Sequence, residues 1–196
     1  MIALISACGS NFSSVCFALE RLGYEATLTN DAEKIKSASH VILPGVGHAA
    51  YAMGQLEKYD LIHVIPQLTQ PVLGICLGMQ LLFTETAEGE VRGLDVFSGK
   101  ITPLPAKKGY TLPHMGWNQL DIKQKDSPLM LEVDNHAYVY FVHSYAAPIG
   151  DYTVAASHHS EKFSAIVAQD NFYATQFHLE RSAAVGATVL TNFLKL

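Results

Sequence analysis

Nucleophilic attack on a carbonyl needs a nucleophile, a base within reach, and a third group that orients the base. Cys76 is a candidate for the first role. In Pro71-Val72-Leu73-Gly74-Ile75-Cys76-Leu77-Gly78-Met79-Gln80, a short apolar run passes into the start of a helical pattern, and the cysteine sits at the join between glycines 74 and 78. A side chain on a sharp strand-to-helix turn projects from the carboxyl edge of the sheet, where open α/β folds bind ligands. The two glycines permit that geometry because they lack Cβ. A helix beginning near Leu77 would aim free N–H groups at the sulfur, favouring the thiolate and offering a donor to an oxyanion. Taken in isolation, Cys76 also fits a small core position, where free cysteine is common. The base candidate is His178 in Gln176-Phe177-His178-Leu179-Glu180. In an extended segment residues two apart face the same side, so Glu180 could hold one ring nitrogen protonated and leave the other to take the thiol proton.

Residues 76 and 178 must be brought together by the elements around them. IALISA (2–7), YEATL (24–28), HVILP (40–44) and PVLGI (71–75) read as strands, and Phe12, Val15, Cys16, Leu19 and Leu22 recur at helical spacing up to Gly23. A second helical stretch lies between about 50 and 68. Strands alternating with helices imply βαβ units and a parallel sheet, whose strands, covered on both faces, read as continuous apolar runs. From about residue 97 strand follows strand: VFSGKITPL, WNQLDIK, AYVYFVHSY, YTVAAS, FSAIVAQ and FYATQFH. These predict an antiparallel or mixed extension of the same sheet, closed by a helix over about 182–195 with Ser182 as its cap. The expected fold is a single α/β domain over 1–196, a mostly parallel open sheet flanked by helices in the flavodoxin-like manner.

Composition narrows the function. Of 196 residues 49% are hydrophobic and 16% charged, with a net charge of −5 and no basic cluster, which argues against nucleic acid as the main ligand. Three cysteines without Cys-x-x-Cys spacing predict neither a disulfide framework nor a zinc ribbon, and point to a reducing cytoplasm. The first apolar run has no basic region before it and reads as a buried strand, not a signal peptide. No apolar segment reaches the roughly 20 residues of a membrane span. Gly45-Val46-Gly47-His48-Ala49-Ala50 matches a loose dinucleotide pattern, but it follows the third strand and lacks an acidic residue about 20 positions on. His114 and His158-His159 have no Cys or His partner at ligand spacing. Neither a cofactor nor a metal is expected.

GICLGMQ followed about a hundred residues later by QFHLE resembles the class I, or triad, glutamine amidotransferases. LPGVG (43–47), PHMGWN (113–118) and YFVHSY (140–145) resemble the branch of that family that forms the glutaminase subunits of imidazole glycerol phosphate synthase. The resemblance implies that Cys76 is the nucleophile, His178 the base and acid, and Glu180 the orienting carboxylate of a glutaminase working through a thioester. It implies an oxyanion hole from the Val46 and Leu77 N–H groups. Gly47, Gln80, Glu88, His143, Ser144 and Tyr145 would hold L-glutamine, with Glu88 suited to its α-ammonium and Gln80 to its carboxylate or amide. Ammonia would pass to a cyclase subunit in a heterodimer, contacted through Asn11, Trp117, Tyr140 and Arg181.

The chain departs from the family pattern in three places. Leu179 stands where relatives have proline between the triad histidine and glutamate, which loosens the backbone but keeps both side chains. Ser6-Ala7-Cys8-Gly9-Ser10-Asn11 replaces the usual Asp-Tyr-Gly-x-Gly-Asn, and Arg181 replaces a lysine. These departures leave open a paralogous glutaminase serving another ammonia-dependent synthase, or a non-catalytic scaffold subunit. A peptidase or amidase on the same fold is a third reading.

Overall fold

A computed structural model of the chain describes residues 1–9 and 12–196. Its first half runs β1 (Ile2–Ile5), α1 (Phe12–Arg21), β2 (Ala26–Thr29), α2 (Ala32–Ser37), β3 (His40–Gly45), α3 (Ala49–Lys58), a single turn α4 (Leu61–Val64), β4 (Val72–Cys76) and α5 (Leu77–Leu81). β1 pairs in parallel with β2 and β3, and β3 with β4, as the helical crossovers require. The apolar runs are continuous because both faces of these strands are covered. Ile2, Leu4, Leu73 and Ile75 pack with Val15 and Leu19 of α1, whereas Ala3, Ile5 and Val72 belong with Ile35 of α2 and Ala52 and Leu56 of α3. The stretch expected to be helical from 50 to 68 is broken. α3 stops at Lys58, Asp60 takes a left-handed φ of 57°, and Ile65–Gln67 forms a 3-10 turn with Pro66 inside it.

The second half holds β5 (Phe83–Thr86), β6 (Val91–Arg92), β7 (Phe97–Pro103), β8 (His114–Gln119), β9 (Asp121–Ile122), β10 (Tyr138–His143), β11 (Tyr145–Ala146), β12 (Thr153–His159), β13 (Glu161–Gln169), β14 (Phe172–Thr175) and α6 (Ala183–Phe193). The strands do not all extend one sheet, contrary to expectation. The main sheet has the order β2-β1-β3-β4-β14-β13-β12-β9; β11-β7-β5-β6 form a second sheet, and β8 with β10 an antiparallel ribbon. In β7 and β8 buried and exposed positions alternate, so these strands cover a core on one face only, while β12 and β13 carry buried runs like the central strands.

Two placements matter for the site. β14 lies parallel beside β4 with Thr175 opposite Ile75, so the residues that follow each strand leave the sheet side by side. α5 crosses very close to the sheet: a Cβ on Gly78 would stand 1.8 Å from the Leu43 carbonyl oxygen, and one on Gly74 2.9 Å from that of Gly78. Only glycine allows this approach. Ser182 holds the N-cap position of α6, as expected, but its side chain makes no capping bond. Its hydroxyl donates to the His178 carbonyl at 2.7 Å and accepts the Tyr140 N–H at 2.9 Å, tying the end of the β14 segment to β10.

Candidate active site

Cys76 ends β4 at φ 55°, ψ −107°. With ψ at −107° this pair lies outside the left-handed well that other residues tolerate at positive φ, and it turns the side chain out of the sheet at the sharp bend into α5. The sulfur is 3.7 Å from the Val142 carbonyl, to which the thiol donates, and 3.8 Å from the Gln176 side-chain nitrogen, which donates to it.

His178 is extended, but Glu180 is not on a strand: Leu179–Arg181 form a 3-10 turn. The pairing expected from an extended segment is therefore made by a turn, with His178 Nδ1 donating to Glu180 Oε1 at 2.8 Å. That bond sets the tautomer and leaves Nε2 for the sulfur. The backbone is clamped too, the His178 N–H donating to the Tyr140 carbonyl at 3.0 Å. Leu179, in the usual proline position, is buried. Burial alone would lower the His178 pKa; hydrogen bonds to the Cys76 sulfur and the Glu180 carboxylate, with their charges, outweigh it and raise it to about 10. At neutral pH the imidazole is therefore protonated.

One cavity of about 280 Å³ opens onto Cys76, Leu77 and His178, and its walls include Val46, Gly47, Gln80, Glu88, His143, Ser144 and Tyr145. Every residue expected around the reacting centre faces it except Glu180, whose buried side chain stands behind His178. Pro113 and Val142 complete the wall. Gln80 keeps only one of its two expected roles, the one toward the substrate amide. Its Nε2 donates to the Tyr145 carbonyl at 2.9 Å and to Gln176 Oε1 at 3.0 Å, so both amide hydrogens are spent and only its carbonyl oxygen is left for a ligand. A carbonyl oxygen suits a substrate N–H and not a carboxylate. Glu88 Oε2 accepts the Ala49 N–H at 2.8 Å, anchoring the carboxylate at the start of α3. The His143 ring is spent internally: Nδ1 meets the Tyr145 carbonyl at 2.8 Å and Nε2 meets His114 Nδ1 at 2.9 Å. Burial above all lowers the His143 pKa to about 4, and burial with the neighbouring His143 and His159 lowers that of His114 to about 3. Both rings are neutral, and the 143–145 segment can offer its backbone instead of a charge.

The Val46 N–H is not presented to the sulfur. It donates to the Cys8 carbonyl at 3.2 Å. β3 lies between β1 and β4 with Gly45 opposite Cys76, and strand N–H groups alternate sides, so an N–H directed at Cys8 points away from Cys76. Gly9, at φ 120°, lets the loop come this close; a Cβ there would be 2.7 Å from the Val46 carbonyl oxygen. Of the two expected oxyanion donors only Leu77 stays in place, its N–H at the first turn of α5, where no intrahelical acceptor exists.

Trp117 and Tyr140 are cross-strand partners on the β8–β10 ribbon with rings 5.9 Å apart. Trp117 is 52% exposed and Met115, on the same strand, 62%. Arg181 is exposed next to Glu180, and Asn11 lies outside the described residues. The sequence reading missed Gln176, His114 and Ser182 as parts of the site, although the first two stand inside motifs it quoted; burial of a polar side chain shows only in three dimensions. Among the described residues no group of three or more His, Cys, Asp or Glu is placed to hold a metal, and no helix is long and apolar enough to cross a membrane.

The glutamine amidotransferase class-I family model matches residues 3–196. The chain is 50% identical over 196 residues to imidazole glycerol phosphate synthase subunit HisH 2 of Legionella pneumophila (strain Paris), covering 100% of this chain and 98% of that protein. It is 47% identical to the HisH subunit of Xanthomonas campestris pv. campestris (strain 8004), covering 100% and 97%. A solved structure of a glutamine amidotransferase superposes with a TM-score of 0.75 at 18% identity, over 99% of this chain and 97% of the other, which shows the shared fold. A strained cysteine at the end of β4, a histidine–glutamate pair at the end of the neighbouring strand, and matches along the whole length lead to one conclusion: the chain belongs to the class-I glutamine amidotransferase family.

Proposed function

We propose that this protein is the glutaminase subunit of an imidazole glycerol phosphate synthase. It hydrolyses L-glutamine to L-glutamate and ammonia through a cysteinyl thioester, and a cyclase subunit uses the ammonia to make imidazole glycerol phosphate and AICAR in histidine biosynthesis. The observation that carries this reading is the convergence of Cys76, His178 and Glu180 on one cavity of about 280 Å³ in a chain half identical, end to end, to a HisH subunit. The Cys76 thiolate attacks the carboxamide carbon of glutamine, and the oxyanion forms beside the Leu77 N–H. His178 gives its proton to the departing nitrogen, and ammonia leaves a thioester. Neutral His178 then takes a proton from water, whose oxygen attacks the thioester, and glutamate departs as the thiolate is restored. Glu180 holds the ring in position throughout. The Glu88 carboxylate matches the substrate α-ammonium, the Gln80 carbonyl oxygen a substrate N–H, and Gly47 with the 143–145 backbone the carboxylate.

A second oxyanion donor from Val46 requires breaking its bond to Cys8. Docking of the cyclase near Asn11, Trp117, Tyr140 and Arg181, with nucleotide bound, is the event assigned to do this, so the chain alone turns over slowly. Ammonia is protonated or lost in bulk water, so a covered route across the interface is part of the proposal. A reducing cytoplasm suits the free thiolate. The test is glutamate release by the purified chain with and without the cyclase and its nucleotide ligand, with Cys76→Ala as control. One oxyanion donor is worth about 10²–10³ in rate, which sets the expected stimulation. Cys76-dependent turnover that the cyclase leaves unchanged removes this partner; no Cys76-dependent turnover in either condition removes the glutaminase.

A further inference from the structure

Gln176 is fully buried beside the Cys76 sulfur. Its orientation is dictated from outside itself. The Tyr145 carbonyl can only accept, so the Gln80 atom 2.9 Å away is the amide nitrogen. That nitrogen then requires an acceptor 3.0 Å away, which must be the Gln176 oxygen. The Gln176 NH₂ is thereby turned to the Cys76 sulfur. The same Tyr145 carbonyl also accepts from His143 Nδ1, which makes His143 Nε2 an acceptor for His114 Nδ1–H at 2.9 Å. His114 Nε2 in turn accepts from the Asn118 amide at 3.2 Å. One unbroken run of bonds, with every donor and acceptor role determined, leads from Asn118 on β8 to the sulfur. On its other side the sulfur meets the Val142 carbonyl at 3.7 Å, a neighbour that suits a thiol and repels a thiolate.

Resting on the glutaminase reading of the same site, we infer that Gln176 is a positioning residue for the nucleophile: its N–H holds the Cys76 sulfur as the thiolate against the Val142 carbonyl, in an orientation set by Gln80 and Tyr145. The residue touches the sulfur from inside the protein and acts on substrate only through it. Without the N–H, the carbonyl is left unopposed and the proton returns to sulfur more readily.

The experiment follows the rate of iodoacetamide alkylation of Cys76 from pH 5 to 10 in the full chain, read by peptide mass spectrometry so that Cys8 and Cys16 are counted separately. Wild type is compared with Gln176→Met, of similar size without a donor, and Gln176→Glu, which can accept from Gln80 but offers no N–H. The midpoint of the Cys76 profile is expected to rise by about one pH unit in both variants, a roughly tenfold loss of thiolate at pH values below the wild-type midpoint. Over the same pH range kcat for glutamine falls by a similar factor, with KM moving less than about twofold. A loss of packing alone would open the buried Cys8 to reagent without moving the Cys76 midpoint; where Gln176→Met exposes Cys8, the isosteric Gln176→Glu decides. Profiles that match wild type overturn the inference. Alkylation needs no glutamine, so a wild-type chain inert toward glutamine refutes the glutaminase and leaves the Gln176 result standing.

Discussion

At Cys76 the backbone conformation costs a residue with a Cβ on the order of 1–3 kcal/mol, while glycine in a folded chain costs about 0.5–1 kcal/mol in extra entropy. The first magnitude exceeds the second. Cys76→Gly is therefore expected to melt above Cys76→Ala by the equivalent of about 1 kcal/mol, although neither hydrolyses glutamine. Thermal unfolding of the two variants checks this, and a lower melting point for the glycine variant would place the strain elsewhere. The comparison with alanine matters because both variants lose the hydrogen bond with His178. Stability given up at Cys76 fits its proposed role, since strain is common at catalytic positions.

The β8–β10 ribbon carries buried neutral imidazoles at both members of its last pair, His114 opposite His143. Their folded pKa values, about 3 and about 4, lie below the ordinary 6.5, so between these values the unfolded chain binds protons that the folded chain refuses. The stability they contribute is complete above pH 6.5 and is lost as pH falls through 4 toward 3. Urea unfolding midpoints should drop between pH 7 and 5, with a slope approaching about 1.4 kcal/mol per pH unit for each histidine. His114→Gln should remove one histidine's share of that slope; an unchanged slope would mean that His114 titrates normally in the fold. PHMGWN and YFVHSY are visible in the chain as separate runs. That they pair, and bury two rings against each other, follows from a register set by neither run alone.

For the whole molecule, the exposed Met115, Trp117 and Tyr138 gather on one ribbon whose backbone also clamps His178 through Tyr140. A partner seated there reaches the active site within one hydrogen bond. Large aromatic side chains at interfaces commonly dominate binding, so Trp117→Ala should raise the cyclase concentration for half-maximal stimulation at least about tenfold. A glutaminase titration with the cyclase measures it, and an unchanged midpoint would move the interface elsewhere. The candidates Cys76, His178 and Glu180 were legible in the sequence because the cysteine turn depends on local chemistry, glycines at 74 and 78 around a strand end, because histidine and glutamate stand two residues apart, and because both motifs resemble those of a known family. The parallel half of the sheet was legible because strands buried on both faces must be apolar throughout. What only the tertiary structure decided is how distant segments meet. The separation of the later strands into a second sheet and a ribbon, the Val46 N–H held by Cys8, both Gln80 hydrogens spent, and Gln176 against a sulfur 100 residues earlier all depend on long-range pairing. Residue type limits which hydrogen bonds a side chain can make; only the packed fold selects the partner that takes each one.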